Sequence, residues 1–325
     1  MKSNIAIVGC GHWGKNLVRN FSSLGVLTSI CDPNSLIAEK FAIEYNVKKL
    51  SFNEILNDPN INGVVVAVPA QFHASIAIDA INKGKHVFVE KPLAMNETEA
   101  EQIIDAAKKK NVKLMVGHLL QYHPIFKTIK KMVYTGEIGE LKYVYSNRLS
   151  FGKVRSKENV IWSFAPHDIS MILSLVRTKL KSVIVNSTSI LQKKIADSAT
   201  ISLEFEQDIK SHISVSWLNP FKEQKLVVIG KSAMLVFDDT KEWNKKLAFY
   251  PYKVEHNEHE PVLKNNDIKY IHVTEEEPLK SECQHFLNVI EDNKEPITNG
   301  IEGLKVLKVL TAASLSSEQD KKIYL

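Results

Sequence analysis

The feature that most constrains this chain is a glycine turn set between two differently patterned stretches. Ile5-Ala6-Ile7-Val8 is an unbroken apolar run, Gly9-Cys10-Gly11-His12-Trp13-Gly14 follows at once, and Leu17, Val18, Phe21 and Leu24 then recur at helical spacing. Strand, tight turn and helix in that order open a βαβ unit, and each glycine has its own task. Gly9 permits the turn, Gly11 lets a pyrophosphate approach the backbone, and Gly14 allows the helix to pack closely. A second strand over 26–31 ends at Asp32, 18 residues after Gly14. A carboxylate there accepts from both hydroxyls of an adenosine ribose and repels a 2′-phosphate, so NAD is expected in preference to NADP.

The alternation continues. Helical patterns at 36–45 and 52–57 precede an all-apolar strand at 63–68, which Pro69-Ala70-Gln71-Phe72-His73 breaks. A helix at 74–83 ends before Gly84, a helix opens at Asn96 and closes on Lys108-Lys109-Lys110, and a strand spans 114–118. Between these helices lies Val87-Phe88-Val89-Glu90-Lys91-Pro92, an apolar run ending abruptly in an acid, a base and a proline. Parallel sheets bind ligands beyond the carboxyl ends of their strands, so Lys91 is expected to face one, with Pro92 marking the strand exit. The bland alternative is a solvated Glu-Lys pair closing a strand.

Beyond about residue 120 the pattern changes to period two, as in Thr200-Ile201-Ser202-Leu203-Glu204-Phe205, with strands expected at 141–151, 182–191, 198–205, 209–217, 225–229 and 234–237. Two closing helices are expected at 282–291 and 302–314, and one following from Ile169. The expected fold is α/β: an N-terminal Rossmann domain with a parallel sheet (1–120) and a C-terminal α+β domain with a mostly antiparallel open sheet (121–325). Val215, Trp217, Val227 and Ile229 outnumber what so few helices can cover, so a homo-oligomer, dimer or tetramer, is expected through that sheet.

Composition narrows the partners. A net charge of +5, with 42 basic residues interspersed among 37 acidic ones, suits an anionic small ligand and argues against nucleic acid. Cys10, Cys31 and Cys283 have neither a metal spacing nor a paired framework. No apolar run approaches a membrane span, and no apolar leader follows Met1, so a cytoplasmic protein is expected. No metal is expected: His256-x-x-His259 amid Glu255, Glu258 and Glu260 reads as a charged loop.

Gly9-x-Gly11-x-x-Gly14, Pro69-x-x-x-His73, and Gly84-Lys85-His86-Val87 leading into Glu90-Lys91-Pro92 together resemble the glucose–fructose oxidoreductase / inositol dehydrogenase (Gfo/Idh/MocA) family of nicotinamide-dependent oxidoreductases. The likeness covers nearly the whole chain. It implies a cofactor site drawn from Gly9, Gly11, His12, Trp13, Gly14, Asp32, Pro69, His73, Glu90 and Lys91. It also implies that Lys91 lies beside the nicotinamide and that a second-domain histidine, here His167 in Trp162-Ser163-Phe164-Ala165-Pro166-His167-Asp168, completes the site. Three positions depart from the family pattern. Ser163 stands where many members have aspartate, and Val68-Pro69-Ala70 replaces Thr-Pro-Asn.

Within the family, 117–124, Asn147-Arg148, Gly152-Lys153-x-Arg155 and 162–168 resemble a branch of bacterial surface-polysaccharide pathways. Its members oxidise UDP-N-acetylhexosamines, or the corresponding uronates, at C3. That resemblance implies a substrate site among Gln121, Tyr122, Arg148, Lys153, Arg155, Asn159, Trp162, His167 and Asp168. Alcohol oxidation sends a hydride to the cofactor and a proton to a base, and either Lys91 or His167 can serve. Asp168 either orients His167 or caps a helix. Arg148, Lys153 and Arg155 either meet a diphosphate or are solvated. Tyr122 and Trp162 either stack on a sugar or base or fill the core. A polyol or inositol dehydrogenase and a non-catalytic NAD-binding regulator are the competing readings.

Overall fold

The computed structural model describes residues 3–152, 154–156, 158–256 and 260–325. From the N-terminus the apolar runs and helical patterns become β1 (Ile5–Val8), α1 (Gly14–Ser23), β2 (Leu27–Cys31), α2 (Ser35–Tyr45), β3 (Lys48–Lys49), α3 (Phe52–Asn57), β4 (Gly63–Val66), α4 (His73–Asn82), β5 (His86–Glu90), α5 (Glu97–Lys110) and β6 (Leu114–Gly117). The strands form one sheet in the order β3-β2-β1-β4-β5-β6. Every pairing in it is parallel, as the alternation requires. Asn34 caps α2, Ser51 and Glu54 make a reciprocal capping box on α3, and Asn96 caps α5. β3 was not expected from sequence, because two exposed lysines pairing with Ser29 and Ile30 carry no apolar pattern.

The chain continues as α6 (Pro124–Tyr134), β7 (Leu141–Phe151), α7 (Val160–Leu175), β8 (Leu180–Thr188), β9 (Ser198–Phe205), β10 (Lys210–Ser216), β11 (Leu218–Gly230), β12 (Ala233–Asp238), β13 (Leu247–His256), β14 (Pro261–Asn265) and β15 (Lys269–Tyr270). It ends with α8 (Pro278–Glu291), α9 (Gly300–Gln319) and β16 (Ile323–Tyr324). The second sheet has ten strands among the described residues, ordered β14-β13-β12-β11-β7-β10-β9-β8-β16, with β15 paired to β13. Its pairings are antiparallel except β7 with β10, so the sheet is mostly antiparallel, as expected. The helices α6 and α7 pack on it.

Two expectations about this region change. The helix bearing His167 starts nine residues before Ile169, at Val160, because the Asn159 side chain accepts from Trp162 N and Pro166 is carried inside the helix. The apolar residues expected to seek a partner also lie on opposite faces. Val215 pairs with Arg148 on the face shared with Val144 and Ile213, and Val215 and Trp217 are buried within the chain. Val227 and Ile229 stand on the other face, opposite Tyr145 and Tyr143; Val227 is buried within the chain as well, and Ile229 is half-buried.

The chain divides into two compact units, residues 1–122 with 276–307, and residues 123–275 with 308–325. The segment 276–307 thus packs with the first, parallel sheet rather than with the region preceding it. The cause is a stripe on α8 of Leu279, Cys283, Phe286 and Leu287 that joins the core of Phe21, Val65, Phe88 and Met115. The ring of Phe286 lies 5.7 Å from Phe88 and 6.4 Å from Phe21, both in edge or tilted packing. Burying such a ring contributes roughly 2–3 kcal/mol, which a solvent-facing α8 would forgo. Among the described residues no helix is long and apolar enough to cross a membrane.

Candidate active site

The turn between β1 and α1 can be made only from glycine at its ends. Gly9 has φ +97°, and a Cβ on it would lie 2.5 Å from the Ala67 carbonyl oxygen. A Cβ on Gly14 would lie 2.0 Å from the Gly9 oxygen. Gly11 differs: a Cβ there would meet nothing within 4 Å, which leaves open space above the backbone. Asp32 is fixed at the end of β2, accepting from Cys10 N at 2.7 Å and Asn34 N at 2.8 Å. A cavity of about 870 Å³ opens here, lined by Gly9, Gly11, Asp32 and Pro69 together with Lys49, Ser51 and Glu54. An open glycine, a fixed carboxylate and a cavity of this size fit a dinucleotide. Gly11 would lie against the pyrophosphate, and Asp32 keeps free lone pairs for ribose hydroxyls. His12 and Trp13 are exposed at the turn. Lys49, Ser51 and Glu54 were not singled out from sequence, although Ser-x-x-Glu at 51–54 is a legible helix start.

At the end of β5 stand Glu90 and Lys91, with a cis bond from Lys91 to Pro92. Glu90 is buried. Its Oε1 accepts from the Trp13 indole Nε1 at 2.6 Å, and its Oε2 accepts from Lys91 N at 3.3 Å. Burial pushes its carboxyl up to about 7, although the Trp13 bond and the Lys91 charge oppose the shift. His73 is also buried, its Nδ1 2.7 Å from the Pro92 oxygen and its Nε2 2.9 Å from the Val68 oxygen. It therefore joins the two segments that follow β4 and β5. Burial pushes its imidazole down, two carbonyl acceptors pull it up, and Lys91 pushes it down again. A neutral ring can donate to one of those carbonyls only. His118, just past β6, is pushed down to about 3 by burial and by Lys91, so it is neutral at physiological pH. Lys91 is thus electrostatically coupled to one titrating carboxyl and two imidazoles within the first unit.

In the second unit, α7 presents Asn159, Trp162, His167 and Asp168. Asn159 is the helix cap, and the Trp162 indole donates to Ser314 Oγ at 2.8 Å. Asp168 is buried and accepts from Ser146 Oγ and from Arg148, whose Nε lies 2.5 Å and Nη2 3.2 Å away. Lying eight residues after Val160, the first residue of the helix, Asp168 does not cap it. It ties the turn bearing His167 to β7. Arg148 is committed to this pair, and Arg155 is exposed with its Nη1 3.0 Å from Glu158 Oε2. Lys153, expected beside them, lies outside the described residues, as do Glu258 and His259.

Tyr122 and Gln121 belong to the first unit. Tyr122 is fully buried, its hydroxyl 2.9 Å from Thr298 Oγ1 and its ring 5.2 Å from His285, so it fills the core rather than offering a stacking face. Gln121 is buried too. Among the described residues, no group of three or more His, Cys, Asp or Glu side chains is placed to hold a metal ion.

Comparison with known proteins agrees with this layout. Residues 3–118 match the Gfo/Idh/MocA description "Oxidoreductase family, NAD-binding Rossmann fold", and residues 126–236 match the Gfo/Idh/MocA C-terminal domain. The chain is 24% identical to a scyllo-inositol 2-dehydrogenase (NAD⁺) of Bacillus subtilis, over 98% of this chain and 95% of that one. It is 22% identical to a UDP-N-acetylglucosamine 3-dehydrogenase of Acidithiobacillus ferrooxidans, over 93% of each. A solved structure of UDP-N-acetylglucosamine 3-dehydrogenase from Acidithiobacillus ferrooxidans shares the fold with a TM-score of 0.87 at 20% identity, covering 98% of each chain. With both family domains matched in order, and with a glycine turn and fixed carboxylate that fit the dinucleotide, this chain belongs to the Gfo/Idh/MocA family and is an NAD-binding oxidoreductase.

Proposed function

We propose that the protein is an NAD-dependent dehydrogenase of a sugar secondary alcohol, and that its substrate is a UDP-N-acetylhexosamine or the corresponding uronate, reacting at C3 in the synthesis of surface-polysaccharide amino sugars. The observation that carries the reading is Lys91, set at the carboxyl end of β5 in the sheet that offers the dinucleotide site, beside a titrating carboxyl and two imidazoles. NAD, when bound, accepts the carbinol hydrogen as hydride. The hydroxyl proton must leave to a base of the chain, and Lys91 of the first unit and His167 of the second are the groups of this reading that take it or polarise the oxygen. Arg148 holds Asp168, and Asp168 steadies the helical turn that carries His167.

The nucleotide-sugar substrate is supported by the match to UDP-N-acetylglucosamine 3-dehydrogenase over 93% of both chains. The match to scyllo-inositol 2-dehydrogenase, at 24% identity over 98% of this chain, favours a second reading in which the alcohol belongs to a free polyol. Nicotinamide absorbance separates them. With NAD present, UDP-N-acetylglucosamine or its uronate should give reduction while scyllo-inositol and myo-inositol should not. Reduction by an inositol alone would replace the first reading by the second. NAD binding with no reduction by any of these alcohols would point to a regulator, a role that needs neither Lys91 nor His167.

The second sheet supports self-association. Opposite its helix-covered face stand Tyr143, Tyr145, Ile229, Met234 and Val236, all half-buried, with Tyr145 stacked on His212 at 5.0 Å. A second copy of this chain would cover that row, giving a dimer or tetramer of a cytoplasmic enzyme. Light scattering should find an oligomer at micromolar concentration that Tyr145→Glu breaks, and a wild-type monomer would refute the assembly.

A further inference from the structure

One buried acid in the first unit has no place in the chemistry above. Glu282, on α8, is fully buried, and neither carboxyl oxygen makes a hydrogen bond to any described residue. An unpaired carboxylate in such surroundings costs several kcal/mol, so burial favours the neutral form. Its charged and titratable neighbours come from three elements. Glu90 at the end of β5 acts on it by like charge, and Glu282 in turn acts on Tyr122 from the turn after β6 and on Cys283 of its own helix. Tyr122 and Cys283 are both held neutral, the former bonded to Thr298. Arg19 and Glu277, which also act on Cys283, are exposed and paired with each other.

Glu90 is the partner with structural consequences. Its register partner across β5 and β6 is Gly117, and a Cβ there would lie 2.9 Å from Glu90 Oε2. Glycine at that point makes the niche into which the carboxyl folds. From the niche Glu90 reaches Trp13 in the glycine turn and the backbone N–H of Lys91, so one carboxyl fastens the turn to the strand end.

We propose that Glu282 is a proton-holding positioning residue: its neutral carboxyl limits the pair to one charge, that charge falls on Glu90, and ionisation of Glu90 fastens Trp13 of the cofactor turn to the strand end bearing Lys91. The pair then makes dinucleotide binding pH-dependent. Burial pushes both carboxyls up, but Glu90 has two donors, Trp13 Nε1 and Lys91 N–H, and the Lys91 charge to stabilise its anion, whereas neither Glu282 oxygen has a described hydrogen-bond partner and Glu90 acts on it by like charge; Glu90, at about 7, is therefore the first of the pair to ionise. Charged acceptors bind more strongly than neutral ones, so the clamp tightens as the pH rises through neutrality. The inference concerns how the turn is held and stands apart from which alcohol is oxidised.

Tryptophan fluorescence of the ligand-free protein reads the clamp directly. The wild type should show a transition near pH 7 that is absent from Trp13→Phe and Glu90→Gln. Glu282→Gln, which keeps the shape of a neutral acid, should retain it with the midpoint moved by less than about half a unit. NADH affinity should improve roughly five- to tenfold from about pH 6 to about pH 8 in the wild type, and Glu90→Gln should flatten that dependence. An acid whose folded pKa is raised contributes stability at low pH that is lost as the pH rises. The melting temperature of Glu282→Gln should therefore gain on the wild type between about pH 5 and about pH 8. A fluorescence midpoint displaced downward by more than a unit, or a Glu282→Gln that is destabilised equally at every pH, would show that Glu282 is ionised and overturn the proposal. Should that variant fail to fold, infrared spectra of the wild type decide. A protonated-carboxyl band should survive at about pH 8, and its loss would overturn the proposal equally.

Discussion

Arg148 Nε lies 2.5 Å from Asp168 Oδ2, and Asp168 is almost wholly buried one residue after His167. An arginine that the residue pattern offers as a diphosphate ligand is thereby spent on holding a helix turn. Removing it leaves an uncompensated carboxylate in the interior, which typically costs about 3–5 kcal/mol. Arg148→Met should accordingly lower the melting temperature by several degrees. It should also reduce kcat, through a loosened His167, more than it raises KM. An unchanged melting temperature with a KM raised more than tenfold would instead assign Arg148 to the substrate.

Cofactor choice follows from Asp32, whose two oxygens are already oriented by Cys10 N and Asn34 N toward the cavity. NAD should bind more tightly than NADP. Asp32→Asn, which keeps an acceptor for the turn and removes the charge, should narrow that preference by about tenfold or more. Equilibrium titrations in which the wild type prefers NADP would contradict this.

Proton transfer is tested at Lys91. Lys91→Ala leaves the glycine turn and Asp32 intact, so NAD binding should persist while turnover falls by about 10²–10⁴-fold. His167→Ala should behave alike. If the two groups serve one step, the double variant should lose much less than the product of the single losses, whereas strictly multiplicative losses would assign them separate roles. Near-normal turnover of Lys91→Ala at saturating substrates would make Glu90-Lys91-Pro92 a structural strand end.

Acid stability of the second unit should depend on Asp197. Burial by itself would raise this carboxyl. The N–H groups of Leu191, Trp217 Nε1 and Ile190 reach it at 2.8, 2.6 and 2.7 Å, and the net effect holds it below its usual range. A depressed folded pKa stabilises above the unfolded value, about 4, and that contribution is lost as the pH falls through the folded one. Asp197→Ala should thus be less stable at neutral pH, by about 2–3 kcal/mol on the scale of hydrogen bonds to a charged group. The gap should close as the pH approaches about 3 in urea melts followed by tryptophan fluorescence. A gap that stays constant with pH would show that the charge contributes nothing.

What the sequence by itself determined is whatever depends on neighbours along the chain. The period of Leu17, Val18 and Phe21, the glycines at 9, 11 and 14, and the apolar runs ending at Asp32 and Lys91 state strand, turn and helix locally. Right-handed crossovers then leave little choice for the first sheet. The alternation of 198–205 likewise marks a two-faced strand, but which face is covered depends on pairing with a strand distant in sequence. Hence Val215 and Val227 could not be separated until β7 stood between β10 and β11. The start of α7 was hidden by Pro166, which reads as a break yet is tolerated once Asn159 caps the helix and the turn around Asp168 is tied to β7. Tyr122 and Glu282 are the extreme cases. Nothing along the chain says that a tyrosine will be fully enclosed or that a helix acid will be buried beside Glu90. Burial and like-charge proximity are properties of packing, and α8 reaches that core across more than 150 residues of intervening chain.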